Sequence, residues 1–471
     1  MAHRTMIGGT SYNVTGGTSM ISGTSYKISR GKSTIGGTSY EVAFAKPATA
    51  MLYTDGSMVF QYGKTVESGK TLRSSYTGFE EVSYSSNTQV PWMGYGSSIT
   101  SVRFNGISPI SLAYWFNNSR NLTSVDYSGL NWSRLTNMTY AFRYCNKLTG
   151  APVCGNTVTD MSYAYAWCQN LTGSPVCGSN VTNMRSAYSI CSNLTGSPVC
   201  GNNVTDMLSA YESCYKLTGS PACGSNVIIF SNAYASCNRL TGAPVCGPNV
   251  TGMSYTYYYC TNLTGSPVCG NNVTNMYYTY QNCQNLTGSP VCGANVSQMG
   301  SAYSNCRNLT GSPVCGPNVT GMSYTYQNCI GLTGSPVCGD KVTLMIYTYE
   351  NCTNLTGSPV CGASVTSMVY AYNGCKNLSG APACGDNVTN MQFTYNGCPN
   401  LYGTVYMRYV TCARGCFNGR NNSRRLNVYS YYASTFASIT NTFSIVGKTV
   451  TWTQDGQCWY NTKFNIYLYQ L

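Results

Sequence analysis

The chain has 471 residues and a formal net charge of +13, with only 8% charged and 43% hydrophobic residues, 49 Gly and 42 Tyr. That aromatic content excludes a disordered chain, and no run approaches the roughly 18 consecutive apolar residues of a membrane helix. His3 is the single histidine, which excludes most histidine-dependent catalysis and most zinc sites.

Residues 1–45 carry Gly-Thr-Ser-Tyr at 9–12, 23–26 and 37–40, a repeat of 14 residues. Short alternating segments such as Tyr26-Lys27-Ile28 and Tyr40-Glu41-Val42, punctuated by Gly, predict hairpins or a thin β-fibre. Such segments bury little alone, so a homo-oligomer is expected. The N-terminus reaches Gly8-Gly9 before any apolar core of a signal sequence forms, and no secretory signal is expected. Residues 46–98 read as a small β element, with a hairpin signal at Tyr53-Thr54-Asp55-Gly56-Ser57-Met58.

From residue 99 to 401 the chain is periodic. Leu171 opens Leu-Thr-Gly-Ser-Pro-Val-Cys-Gly-Ser-Asn-Val-Thr-Asn-Met, and Leu194 starts the phrase again. Cysteines recur every 23 residues in two registers, Cys145 to Cys398 and Cys154 to Cys384, which hold 23 of the 26. A fixed period of this length predicts a solenoid, in which no coil buries its apolar face alone and a stack makes one core. The expected inward set is the leading Leu, the Val of Pro-Val-Cys, the Val of Asn-Val-Thr, the Met, the Tyr four later and the final Cys. The Met-to-Cys segment is read as a helical or 3₁₀ turn. Residues 402–471 are strand-like and non-repetitive, as a β-rich cap needs to be.

The net positive charge comes from the two ends. Between Cys145 and Cys398 there are seven basic and six acidic residues, whereas Arg408, Arg414, Arg420, Arg424, Arg425, Lys448 and Lys463 face Asp455 alone after Cys398. A neutral middle lacks the continuous basic stripe of a nucleic-acid binder, so nucleic acid is not an expected partner. The cysteine spacings of 9 and 14 do not suit zinc. Neighbouring coils would bring like cysteines near disulfide range, but small buried thiols are the preferred reading. The scattered carboxylates, with Asp160 and Asp206 two coils apart, form no catalytic signature, so neither an enzyme nor a cofactor is expected.

Tyrosine is the informative surface residue. The evenly spaced Tyr165 to Tyr395 column is assigned to the core. Two residues earlier a second aromatic stands in seven of eleven coils: Tyr163, Tyr255, Tyr278, Tyr324, Tyr347, Tyr370 and Phe393. These either pack on one another or form a strip of flat apolar faces with hydroxyl handles, suited to saccharide or protein. Trp452 and Trp459 in the cap join them as candidate binding residues. The Asn-x-Thr triplets, such as Asn180-Val181-Thr182, are read as corner residues with local hydrogen bonds.

The phrase Asn-Val-Thr-Asn-Met…Tyr…Cys…Asn-Leu-Thr resembles the repeat of BspA-family leucine-rich-repeat surface proteins, with Tyr where that family often has Phe. Leu122 to Leu148 resembles its longer variant, and Ile99 through Trp115-Phe116 looks like a first, degenerate coil. Residues 1–45 resemble the attachment segments of phage tail-fibre-like proteins. These resemblances imply a leucine-rich-repeat-like solenoid with small β-rich end modules, used for adhesion or display on bacterial surfaces or virions. The expectation is a virion-associated adhesin or receptor-binding protein; a structural decoration protein and a bacterial surface adhesin are the alternatives. Expected partners are virion or other assembly proteins through residues 1–45, and a host surface glycan or protein through the coils or cap.

Overall fold

A computed structural model describes residues 47–420 and 424–440, and the flanking residues where they form strands. Near the N-terminus, β1 (His3–Ile7), β2 (Thr10–Thr15), β3 (Thr18–Ile21) and β4 (Thr24–Lys27) form an antiparallel meander. β5 (Lys32–Ile35) and β6 (Thr38–Glu41) form a separate hairpin. The short Gly-punctuated segments therefore pair as hairpins.

β7 (Ala48–Tyr53), β8 (Ser57–Tyr62) and β9 (Leu72–Thr77) join β10 (Ser101–Asn105) and β11 (Ser124–Gly129) in a sheet of order β11-β10-β8-β7-β9. The pairings β8–β10 and β10–β11 are parallel, and here the meander gives way to coils stacked in one direction. An aromatic plug closes this end: the Phe60 ring stacks on Trp115 at 5.0 Å and meets Phe79 and Trp92 edge-on at 5.5 and 5.2 Å. Trp92 Nε1 donates to the Trp115 carbonyl at 2.8 Å. A stack of coils needs such a plug, because its end otherwise exposes apolar side chains and unpaired amides.

From Ser111 to Cys412, single-residue parallel bridges link each coil to the next, through Asn137, Asp160, Asn183 and onward to Asn390. The Met-to-Cys segment is neither an α-helix nor a 3₁₀ helix. Met276, Tyr278, Tyr280 and Asn282 donate to Gln298, Gly300, Ala302 and Ser304 of the following coil, at 2.8–3.0 Å. Thr279, Gln281 and Cys283 donate back three residues within their own coil. Alternate amides thus build the stack while the others tighten the turn, so every amide from 276 to 283 except Tyr277 pairs with a carbonyl; Tyr277 donates to Asn275 Oδ1 at 2.8 Å.

One apolar core runs from Ala48 to Leu468. Val273, Met276, Tyr280, Cys283 and Leu286 of one coil are fully buried, as are their counterparts in neighbouring coils. One expected core position is corrected. The Val of Pro-Val-Cys is half-buried, as at Val176, and the preceding Pro175 points inward instead. Its ring suits that corner, since Pro has no amide to satisfy there. The Asn-x-Thr corners also differ from expectation. Asn203, Asn249 and Asn272 donate their side-chain amides to carbonyls one coil back, each at 3.0 Å, so they bridge coils rather than bonding locally.

Coil-to-coil bonding continues past residue 401: Met391 donates to Cys412 and Tyr395 to Cys416, and Phe417 stacks on Tyr395. The stack then meets β12 (Gly403–Tyr406), β13 (Leu426–Ser430), helix α1 (Ala433–Thr440), β14 (Thr453–Asp455), β15 (Cys458–Asn461) and β16 (Ile466–Gln470). β12, β13 and β16 are parallel, and the antiparallel pairings β16–β15 and β15–β14 finish the sheet. No helix among the described residues is long and apolar enough to cross a membrane.

Candidate ligand-binding face

The surface aromatic column rests on an unusual backbone. Tyr163, Tyr255, Tyr278, Tyr324, Tyr347, Tyr370 and Phe393 all have φ between 51° and 60°. Where no aromatic stands, the same column holds Ser186, Ser209, Asn232 and Ser301 in the same conformation. Left-handed backbone is costly for a bulky residue, at roughly 1–2 kcal/mol each. The inter-coil hydrogen bond made by the residue's own amide, such as Tyr278 N to Gly300 O at 3.0 Å, offsets it. The reversal also sends Tyr278 to the surface while Tyr280, two residues on, stays in the core.

Each column stacks on itself. Core rings from Tyr165 to Tyr395 step at 5.4–5.9 Å and lie nearly parallel. Surface rings step more closely, in three runs. Tyr114, Tyr140 and Tyr163 stack at 4.7 and 4.6 Å. Tyr255 stacks on Tyr278 at 4.8 Å. Tyr324, Tyr347, Tyr370 and Phe393 stack at 4.9, 4.7 and 4.8 Å. Mutual stacking covers ring faces, so within a run the solvent meets edges and hydroxyls. Open faces remain only where a run ends. Trp452 lies outside the described residues, and for Trp459 only its backbone place in β15, opposite Leu468, is described.

The densest surface cluster adds three residues to the sequence-based set. Tyr258, Tyr259 and Tyr277 surround the Tyr255–Tyr278 pair, with Tyr258–Tyr259 centroids at 4.6 Å and Tyr277–Tyr278 at 4.2 Å, both edge-on. Tyr259 is 45% exposed and Tyr277 41%. The runs Tyr255-Thr256-Tyr257-Tyr258-Tyr259 and Tyr277-Tyr278 were the available signal, since no other adjacent coils hold as many tyrosines outside the core column. Tyr277 Oη lies 3.5 Å from Tyr278 Oη, and that hydrogen bond together with partial burial pushes the Tyr277 phenol up to about 12. Burial also raises Tyr255 and Tyr258. The cluster presents neutral hydroxyls on apolar rings.

Several of the charged groups are engaged elsewhere. Asp160 Oδ1 accepts from the Ser162 amide at 2.7 Å, Asp206 Oδ1 from Leu208 at 2.8 Å, and Arg185 pairs with Asp206 at 2.8 Å. In the basic cap, Arg420 is buried and donates to the Leu401 carbonyl at 3.0 Å. Arg424 lies over Tyr402 at 4.3 Å, Arg425 over Tyr467 at 3.7 Å, and Arg408 pairs with Asp386 at 3.0 Å. Among the described residues no group of histidine, cysteine or acidic side chains is arranged to hold a metal ion. An open cleft of about 440 Å³, lined by Tyr127, Trp132, Val153, Cys154 and Thr157, marks the step from the longer coil to the 23-residue ones.

The described cysteines are free. The Cys145–Cys398 ladder is wholly buried, and its thiols donate to carbonyls of the preceding coil, as Cys283 Sγ does to Tyr257 O at 3.0 Å. The Cys154–Cys384 ladder is half-buried rather than buried. Burial pushes both sets up, Cys237 and Cys398 to about 12 and Cys200 and Cys246 to about 11.

No protein-family profile and no curated protein matches the chain. Among solved structures it is similar to a leucine-rich cell surface protein from Faecalibacterium prausnitzii A2-165, at 13% identity over 86% of this chain and 98% of that one, with a TM-score of 0.32. It is also similar to a leucine-rich repeat protein from Eubacterium ventriosum ATCC 27560, at 14% identity over 75% of this chain and 93% of that one, with a TM-score of 0.34. Neither superposition is close enough to equate individual residues.

Proposed function

We propose that the chain is a non-enzymatic adhesin, displayed outside a cell or on a virion, whose stacked coils carry a tyrosine face that binds surface saccharide or protein. The observation that carries this reading is the cluster of Tyr255, Tyr258, Tyr259, Tyr277 and Tyr278. Two of these rings are more than 40% exposed, although the core is already satisfied without them. Exposed, neutral, hydroxyl-tipped rings suit recognition by stacking and hydrogen bonding. Several charged groups have other work: Asp160 and Asp206 hold turns, and Arg424 and Arg425 lie on tyrosines. Residues 1–45 are the attachment segment in this reading, because strands of four to six residues bury too little to stand alone and gain from partner chains.

The test is retention of the full chain on glycan arrays and on bacterial cells, beside Tyr259→Ala and Tyr277→Ala. Loss of binding in correctly folded variants supports the tyrosine face. A folded wild-type chain that binds no surface makes it a structural decoration protein instead.

A further inference from the structure

The open cleft of about 440 Å³ at the head of the 23-residue array has a cause in the sequence. Trp132 stands ten residues after Leu122, whereas Gly155 stands seven after Leu148, so the longer coil places its three extra residues ahead of Trp132. Trp132 then occupies the position that glycine holds in each following coil, from Gly155 to Gly385. The local bonding is the same. Leu135 donates to Trp132 O at 3.0 Å, as Val158 does to Gly155 O at 3.2 Å and Val181 to Gly178 O at 3.1 Å. In later coils like corner stacks on like corner, but here the Pro152-Val153-Cys154 corner follows a coil that holds strand β11. Among the described residues no backbone hydrogen bond joins residues 150–157 to β11. Pro152 has no amide to give, and the Tyr165 hydroxyl holds both the amide and the carbonyl of Val153, at 3.2 and 2.8 Å. The two coils therefore part at this corner, and the cleft is the space between them.

Its lining joins aromatic, apolar and neutral polar groups. Half-buried Trp132 reaches over the next coil, where a Cβ at Gly155 would lie 2.5 Å from its ring. Tyr127 stands 6.1 Å from the indole and is fixed by Phe104 and Phe142, each 6.0 Å away. Val153 and Cys154 complete the apolar part, and Ser133 and Asn156 stand exposed beside them. The Ser133 hydroxyl, the Asn156 amide and the indole N–H have no protein partner among the described residues. No lining side chain is charged.

We propose that this cleft is a carbohydrate-binding site, separate from the tyrosine face, that takes a short neutral saccharide against the Trp132 indole. A pyranose offers what the lining asks for: a C–H face for the aromatic and apolar side chains, and a hydroxyl edge for Ser133, Asn156 and the indole N–H. The space lies within the roughly 300–1,000 Å³ of small-molecule sites. An uncharged lining gives an acidic sugar nothing to pair with. A peptide strand fits less well, because Pro152 and Val153 present no free backbone donor or acceptor for it. The proposal stands on the cleft alone and not on the tyrosine face.

The test uses the full chain and saturation-transfer NMR with lactose, cellobiose and maltose at millimolar concentration. At least one should bind, with transfer to its ring C–H protons. Trp132→Gly installs the residue of the following coils, and Asn156→Ala installs the one that Ala294 and Ala363 hold at the same position. Both variants should keep the wild-type melting temperature and bind about tenfold more weakly. Tyr259→Ala and Tyr277→Ala should bind as wild type does. Should Trp132→Gly unfold, Asn156→Ala decides alone. No binding of the three disaccharides, or affinity unchanged in folded Trp132→Gly and in Asn156→Ala, overturns the site. Binding lost in Tyr259→Ala but kept in Trp132→Gly moves the saccharide to the tyrosine face and overturns it equally. Binding of N-acetyltryptophan amide in place of every disaccharide makes the cleft an apolar pocket, which also overturns it.

Discussion

The hydroxyl of Tyr280 clamps the backbone of Val268, donating to its carbonyl at 2.6 Å and accepting from its amide at 3.1 Å. Tyr165 does the same to Val153 and Tyr395 to Ala383, so the clamp recurs along the stack. It holds the Pro-Val-Cys corner, whose amide and carbonyl have no strand partner. Tyr280→Phe should therefore destabilise the chain by about 1–3 kcal/mol, the cost of stranding buried polar groups. Tyr278→Phe, at the half-buried surface position, should cost well under that. Urea denaturation of both variants makes the comparison, and equal midpoints would show that the clamp contributes nothing.

Close approach between coils explains a second fixed residue. A Cβ at Gly178 would press into the carbonyl of Gly155 and lie 3.2 Å from Cys154 Sγ, whereas one at Gly94 meets nothing within 4 Å. Gly178→Ala should cost about 1–3 kcal/mol by forcing two coils apart, and Gly94→Ala should be near neutral. Thermal melting of the two variants reads the difference.

Much of this fold was legible because the 23-residue period repeats the core set without a break. Leu171, Val181, Met184, Tyr188 and Cys191 are buried as the pattern requires. The exchange of Val176 for Pro175 was not legible, because alternation along a strand carries no meaning in a corner. The left-handed sites were also hidden, since Tyr163 and Trp167 are residues that propensity keeps out of such backbone. Their columns did carry a signal: Ser, Asn and Gly replace the aromatics at Ser186, Asn232, Asn282 and Gly374, as positive φ favours. The candidate rings were identified from spacing, but spacing could not show that stacking covers their faces.

Thiol reactivity should sort the two cysteine ladders. Thiolate is the reactive form, and the Cys145–Cys398 set is buried and bonded to carbonyls. Native alkylation followed by mass spectrometry should label the half-buried set, such as Cys200 and Cys246, slowly, and Cys168 to Cys375 more slowly still. Unfolding without reductant should then expose the whole array. A requirement for reductant would replace free thiols with disulfides.

The same burial makes the chain sensitive to alkali. Cys237 and Cys398 are raised from 9.0 to about 12 in the folded chain, so folding favours the neutral thiol. Their contribution is fully present below about pH 9 and is lost as pH rises toward 12, at about 1.4 kcal/mol per pH unit for each such group. The buried tyrosines shift the same way from 10.0 and add to the loss. Melting temperature should be level from neutral pH to about 9 and fall steeply above it. A level profile through pH 11 would mean that these groups are not buried.

The most direct test of the account is a salt titration of binding to cells or glycan arrays, run on wild type, Tyr259→Ala, Tyr277→Ala and Arg425→Ala. Salt screens exposed charges over about 10 Å at 0.1 M but leaves stacking and short hydrogen bonds in place. If the tyrosine face is the site, binding survives high salt, falls at least tenfold in the tyrosine variants and is unchanged in Arg425→Ala. Binding that salt abolishes, that neither tyrosine variant weakens and that Arg425→Ala removes would contradict it and place the site in the C-terminal cap.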